Sequence, residues 1–302
     1  MGLGDADILV LDQELSTGER AVRDRVRAFC DREVRPIING CWERGEFPHE
    51  VLPGFARLGI VGGSLADHGG PGLTPRASGV AAMELARCDG SISTFFGVHS
   101  GLATQTIALL GSQDQRARWL PDMCALTAVG AFALTEPDHG SDAINLTTRA
   151  RRDGDEWVID GAKRWIGNAT FADLIVVWAR DEATGDVGAF VVPGGTPGLD
   201  ATPITGKIGK RASIQADVTL TDVRVPGDHR LEGGRSFADA ARVLASARPG
   251  VAWAALGHAI AAYEIAFSYV SERSSFGRPL AGHQLVQEAL ATMLAEITTM
   301  RL

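Results

Sequence analysis

Between Val129 and Arg235 the chain is written in short runs of β-branched and aromatic residues separated by glycine, proline and aspartate. The runs Gly130–Leu134, Trp157–Ile159, Leu174–Ala179, Ala189–Val192 and Val218–Val225 have strand length and turn-residue boundaries. In the last of them Val218 and Leu220 alternate with polar residues, as do Val223 and Val225, the pattern of a half-buried strand. The flanking segments carry helical periodicity instead. A β-rich centre between helical ends restricts the fold to an α+β, multidomain arrangement. It reads as an N-terminal all-α domain (1–128), a central antiparallel, β-barrel-like domain (129–235) and the start of a C-terminal helical bundle (236–302).

Ser16 to Glu19 spells a capping box, followed by Val22, Val26 and Phe29 on one helical face. Pro48 and Pro53 flank a short segment, and a Gly/Pro-rich loop from His68 to Gly72 precedes a helix holding Ala82 to Ala86. Leu102 to Leu110 makes one more helix, stopped by Gly111. Pro249 kinks or starts a helix. Val251 to Phe267 is apolar but broken by His258 and Glu264, so a buried helix is expected rather than a membrane span. Val286, Leu290, Met293, Ile297 and Met300, spaced 4, 3, 4 and 3, form a bundle-type apolar stripe. No Gly, Asn or Pro closes it, so the bundle is expected to be incomplete at Leu302.

With 302 residues, 45% hydrophobic and 22% charged, the chain can bury a large core. A formal charge of -8 argues against nucleic acid or an anionic membrane as the main partner, while leaving small anionic ligands open. Cys30, Cys41, Cys88 and Cys124 are scattered without metal-ligand spacing and read as reduced thiols. Met1 to Asp7 has no signal-peptide character, so a cytoplasmic protein is expected. Phosphate-loop, zinc-protease, nucleophile-elbow and strand-linked dinucleotide motifs are absent from the sequence.

Three segments remain that can carry chemistry. Leu134-Thr135-Glu136-Pro137, with Gly140-Ser141-Asp142, is either an ordinary turn after a strand or a ring of donors for a planar heterocycle. Flavins need such donors, because reduction places negative charge on the ring edge. Trp165, between Lys163-Arg164 and Ile166-Gly167, is either a packing residue or a wall stacked on that ring. In Arg273 to Leu280, Gly277 and Pro279 fit a helix stop and restart. Arg273, Phe276 and the later Gln284 are left without a role; functionally, Arg273 would pair with a pyrophosphate and Phe276 would cover an adenine.

Together with Asp222-Val223 and Val225-Pro226, these segments in this order resemble the acyl-CoA dehydrogenase family across essentially the whole chain. Cys88 to Ser91, Val98 to Gly101 and Phe171 to Leu174 look most like its glutaryl-CoA dehydrogenase and short-chain acyl-CoA oxidase branch. The resemblance implies a flavoprotein of fatty acid metabolism, with FAD held between subunits of a homotetramer or dimer and an electron-transfer flavoprotein as possible acceptor. It implies that Phe132, Leu134, Thr135 and Ser141 line the flavin, that Trp165, Ile166 and Gly167 flank it, and that Arg273, Phe276 and Gln284 reach a neighbouring subunit's FAD. Ser93, Thr94, Ser141 and Arg248 would meet the acyl-CoA. Two departures stand out. Ser93 occupies the place of the arginine by which glutaryl-specific members hold a distal carboxylate. The catalytic glutamate, which members supply either from a late C-terminal loop or from the position before Arg248, is not found: that position is Ala247. A C-terminally truncated dehydrogenase is therefore expected, with a non-catalytic or partner-dependent FAD and acyl-CoA binder, or an acyl-CoA oxidase, as alternatives.

Overall fold

The structure, a computed structural model, describes residues 6–302. Ser16 Oγ accepts the Glu19 N–H at 3.3 Å and the Glu19 carboxylate accepts the Ser16 N–H at 2.8 Å, which closes the expected capping box. It starts α1 (Thr17–Phe29), which buries Val22, Val26 and Phe29 and passes through a π turn at Cys30–Val34 into α2 (Arg35–Arg44). After α3 (Leu52–Arg57) and α4 (Pro75–Cys88), Asp89 accepts the N–H groups of Ser91 and Ile92 at 2.7 and 3.0 Å. That cap begins a continuous rod: α5 (Gly90–Phe96), a π-helical segment (Gly97–Thr104) and α6 (Gln105–Leu110). The helix expected from Leu102 thus starts twelve residues earlier, because Gly90, Gly97 and Gly101 dilute its apolar periodicity. Gly111 ends it with extended backbone; a Cβ there would lie 2.6 Å from Ile107 O. α7 (Gln113–Cys124) completes the domain.

The middle domain is one curled sheet of β1 (Gly130–Ala133), β2 (Arg149–Asp153), β3 (Glu156–Gly167), β4 (Leu174–Asp181), β5 (Val187–Pro193), β6 (Leu199–Pro203) and β7 (Gln215–Pro226). Its order is β1-β4-β2-β3-β7-β6, with β5 also paired to β4. The sheet is mixed rather than wholly antiparallel, since β1 and β2 both run parallel to β4. Residue alternation and turn residues set strand limits but carry no strand direction; the long excursion between β1 and β4 gives the chain length to return the same way. β1 is buried on both faces. Ala131 and Ala133 pack with Trp157, Ile175 and Val218, whereas Phe132 and Leu134 pack with Ile107, Leu120 and Trp178.

α8 (Phe237–Glu272), ~54 Å long at the usual helical rise, runs along α4. Gly257 permits the approach: a Cβ on it would stand 2.1 Å from Met83 O. Pro249 lies inside α8 and neither starts nor ends it. The expectation of a buried helix is corrected in part. Leu256, Ile260 and Tyr263 are buried, but Val251, Ile265 and Tyr269 on other faces are 69%, 68% and 61% exposed. By length and composition alone α8 is also apolar enough to cross a membrane. Instead of a simple stop and restart, a hairpin of β8 (Ser274–Ser275) and β9 (Arg278–Pro279) follows, turning on Phe276 and Gly277 at φ +52° and +77°. In α9 (Gln284–Arg301) the stripe buries only Ile297 fully, with Leu290 and Met293 packed partly against the α4–α8 cluster.

Candidate flavin cleft

β1 leads directly into the turn Leu134–Asp142, where the Glu136 N–H donates to His139 O at 3.1 Å. Thirty residues on, β3 carries a one-residue bulge: Lys163 faces Val218 but Ile166 faces Ala216. Bulges re-aim side chains. Here Trp165 takes φ +63°, a left-handed conformation that costs a non-glycine residue roughly 1–2 kcal/mol. Its ring is left 52% exposed, with the Arg164 guanidinium 5.5 Å from the ring centroid.

The two turns are clasped together. The Arg164 N–H donates to Thr135 O at 2.8 Å. Behind that bond, Lys163 Nζ donates to Leu134 O at 3.2 Å and to Glu136 Oε1 at 2.9 Å. The Glu136 carboxylate also accepts from Thr147 N at 2.6 Å, Thr147 Oγ1 at 2.8 Å and Thr148 N at 2.9 Å. The Lys163 and Glu136 side chains are 0% and 2% exposed. Burial opposes ionisation of Glu136, but the Lys163 ammonium and the threonine donors outweigh it and hold the carboxyl down at about 2. Burial pushes Lys163 down to about 8 against the attraction of Glu136, so the pair is ionised at neutral pH.

The π-helical segment forms a third wall. His99 Nδ1 accepts the Gly130 N–H at 2.9 Å, which leaves Nε2–H to donate to Met123 O at 3.0 Å. Complete burial lowers the His99 pKa to about 4, so it bridges helix and sheet as a neutral ring. Val98 lies over the bulge: a Cβ on Gly167 would stand 3.1 Å from Val98 Cγ2. Gly97, one residue earlier, is exposed.

Leu134, Thr135, Trp165, Ile166 and Gly167 are thereby brought together, in different ways. Phe132, Leu134 and Ile166 are buried, and the Phe132 ring meets Trp178 edge-on at 6.2 Å. Their side chains therefore face the core, leaving backbone as what they offer a ligand. Ser141 is exposed and Thr135 half-buried; neither hydroxyl has a hydrogen-bond partner among the described residues. On α5, Ser93 is buried and Thr94 Oγ1 donates to Gly90 O at 2.8 Å; Arg248 is exposed on α8. Arg273, Phe276 and Gln284 lie together around the β8–β9 hairpin, all exposed, with Phe276 at 94%. Among the described residues no hydrogen bond, ion pair or ring contact joins them to the two turns. The Glu136–Lys163 pair and the His99 bridge were not singled out from the sequence, because their partners lie on separate strands and helices with no telling spacing.

Two hydroxyls without partners among the described residues, a half-exposed indole and buried apolar neighbours suit a flat, mostly apolar ring with polar edges. Comparison with known proteins agrees. The chain matches the N-terminal, middle and C-terminal domains of acyl-CoA dehydrogenase at residues 16–127, 131–223 and 234–302. It belongs to the acyl-CoA dehydrogenase family. A short-chain specific acyl-CoA dehydrogenase of Bos taurus is 35% identical over 294 residues, spanning 96% of this chain and 71% of that protein. A probable acyl-CoA dehydrogenase of Bacillus subtilis is 33% identical, spanning 95% and 77%. A glutaryl-CoA dehydrogenase from Mycobacterium smegmatis, solved in complex with FADH2, superposes with TM-score 0.94 at 35% identity, over 97% of this chain and 75% of that one. This acyl-CoA dehydrogenase homologue is thus an oxidoreductase by family and about three-quarters the length of its relatives.

Proposed function

We propose that the chain holds FAD between the Thr135 and Trp165 turns and takes an acyl-CoA thioester for α,β-dehydrogenation. The observation that carries this is the clasp, which fixes two turns side by side and leaves the Trp165 face open. Bound there, FAD would supply a hydride acceptor. Thr135 and Ser141 would donate to its polar edges, Trp165 would cover one face, and the π-helical wall would exclude water. Ser93, Thr94, Ser141 and Arg248 would meet the thioester, and with Ser93 rather than a cation on α5 a monocarboxylyl substrate fits best. Arg273, Phe276 and Gln284, which are exposed and make no contact with this chain's own turns among the described residues, would reach the FAD of a second copy in a cytoplasmic homo-oligomer. An electron-transferring flavoprotein would take the electrons. Proton removal needs a carboxylate, and Ala247 before Arg248 supplies none.

The exposed apolar side of α8 (Val251, Ile265, Tyr269) supports a second reading, in which this chain binds FAD and acyl-CoA but depends on a partner to complete the bundle. Anaerobic mixing of FAD-loaded protein with saturated acyl-CoAs separates the two. Perturbed flavin absorbance without bleaching fits binding without a base in the chain. Bleaching shows a base within these residues, and absence of bound FAD removes the proposal.

A further inference from the structure

Burying an ion pair is seldom the most stable way to fill a core; apolar replacement of both partners is often neutral or stabilising. What apolar side chains lack is direction. Lys163 joins the bulge of β3 to Leu134 O in the first turn, and Glu136 joins that turn to Thr147 and Thr148 at the entry to β2. Three segments are thus pinned at one point behind the cleft, while the Arg164–Thr135 bond in front fixes their distance but not their tilt. Neither charged group is open to a ligand, so each acts through the backbone of Leu134–Thr135 and Arg164–Trp165.

We propose that Lys163 and Glu136 are positioning residues for the flavin: their ion pair sets the relative orientation of the Thr135 and Trp165 turns, and so places the ring, in addition to what it adds to stability. This rests on the FAD reading above. Loosened turns would have to be ordered by the ligand, which lowers affinity without removing any ligand contact.

The test is a full-chain variant carrying Lys163→Met together with Glu136→Leu, measured for urea unfolding without ligand, FAD affinity by fluorescence quenching, and visible circular dichroism of the bound flavin. The expected result is a lowered unfolding midpoint, because Thr147 and Thr148 lose their acceptor, together with FAD binding to the folded protein weakened at least tenfold and an altered flavin dichroism. Lys163→Met with Glu136→Gln, which keeps an acceptor for Thr147 and Thr148, should recover part of the affinity. Wild-type affinity and dichroism in the apolar pair would overturn the proposal. Should that pair fail to fold, Lys163→Met with Glu136→Gln serves in its place, because it also removes the ion pair while keeping an acceptor for Thr147 and Thr148. At least a threefold loss of FAD affinity with altered dichroism is expected from it, and wild-type affinity and dichroism would overturn the proposal equally. A wild-type chain that binds no FAD would instead sink the functional reading on which this rests.

Discussion

Glu136 makes acid sensitivity a quantitative probe of the clasp. Its carboxyl is held at about 2 in the fold, against 4.5 when unperturbed. A depressed carboxylate contributes stability that is complete above its unfolded pKa and is lost as pH falls through the folded value. The window is therefore pH 4.5 down to 2. At 1.36 kcal/mol per unit the full loss is about 3 kcal/mol, of which about 2 kcal/mol is gone by pH 3. Other carboxylates titrate in the same range, so the informative quantity is a difference. Urea unfolding followed by far-UV circular dichroism should be run at pH 6, 5, 4 and 3 on the wild type and on Lys163→Met/Glu136→Gln, which has no charge at this site. The stability difference between the two should move by about 2 kcal/mol against the wild type from pH 6 to pH 3. A difference that stays constant over that range would refute the reasoning, because Glu136 would then not be ionised and donor-bound as the distances indicate.

Other perturbations separate fold from function. Gly257→Val should lower stability by about 1–3 kcal/mol in urea unfolding, because the new side chain must push α8 off Met83 O. His99→Phe should also lower the thermal midpoint, by leaving the buried Gly130 N–H and Met123 O without partners at about 1–3 kcal/mol each. Phe276→Ala should leave the unfolding midpoint within about 0.5 kcal/mol of wild type, since the ring is 94% exposed, yet reduce FAD retention on gel filtration of the oligomer.

The division into helical, β-rich and helical parts was legible because period 3.6 and period 2 leave different marks, and the Ser16–Glu19 cap was legible because capping is local. Direction of the sheet was not, since β1 and β4 pair across 44 residues with identical alternation whichever way they run. The early part of the α5–α6 rod was hidden by its glycines, one of which, Gly97, is exposed beside the wall of the proposed cleft. At the site, Thr135 and Trp165 were found as motif residues. What holds them could not be found that way, because a lysine on β3 and a glutamate after β1 meet only when the sheet has folded. The sequence also showed nothing of how Trp165 comes to be open: the cause is a bulge, and a bulge depends on the partner strand β7.

Flavin fluorescence titration of the wild type beside Trp165→Ala puts the two-turn cleft to its most direct test. If these turns frame the isoalloxazine, the wild type takes up FAD with quenching of its emission, and removing the indole weakens binding at least tenfold and restores emission to whatever remains bound. Equal affinity and equal quenching in the two proteins would show that the ring lies elsewhere.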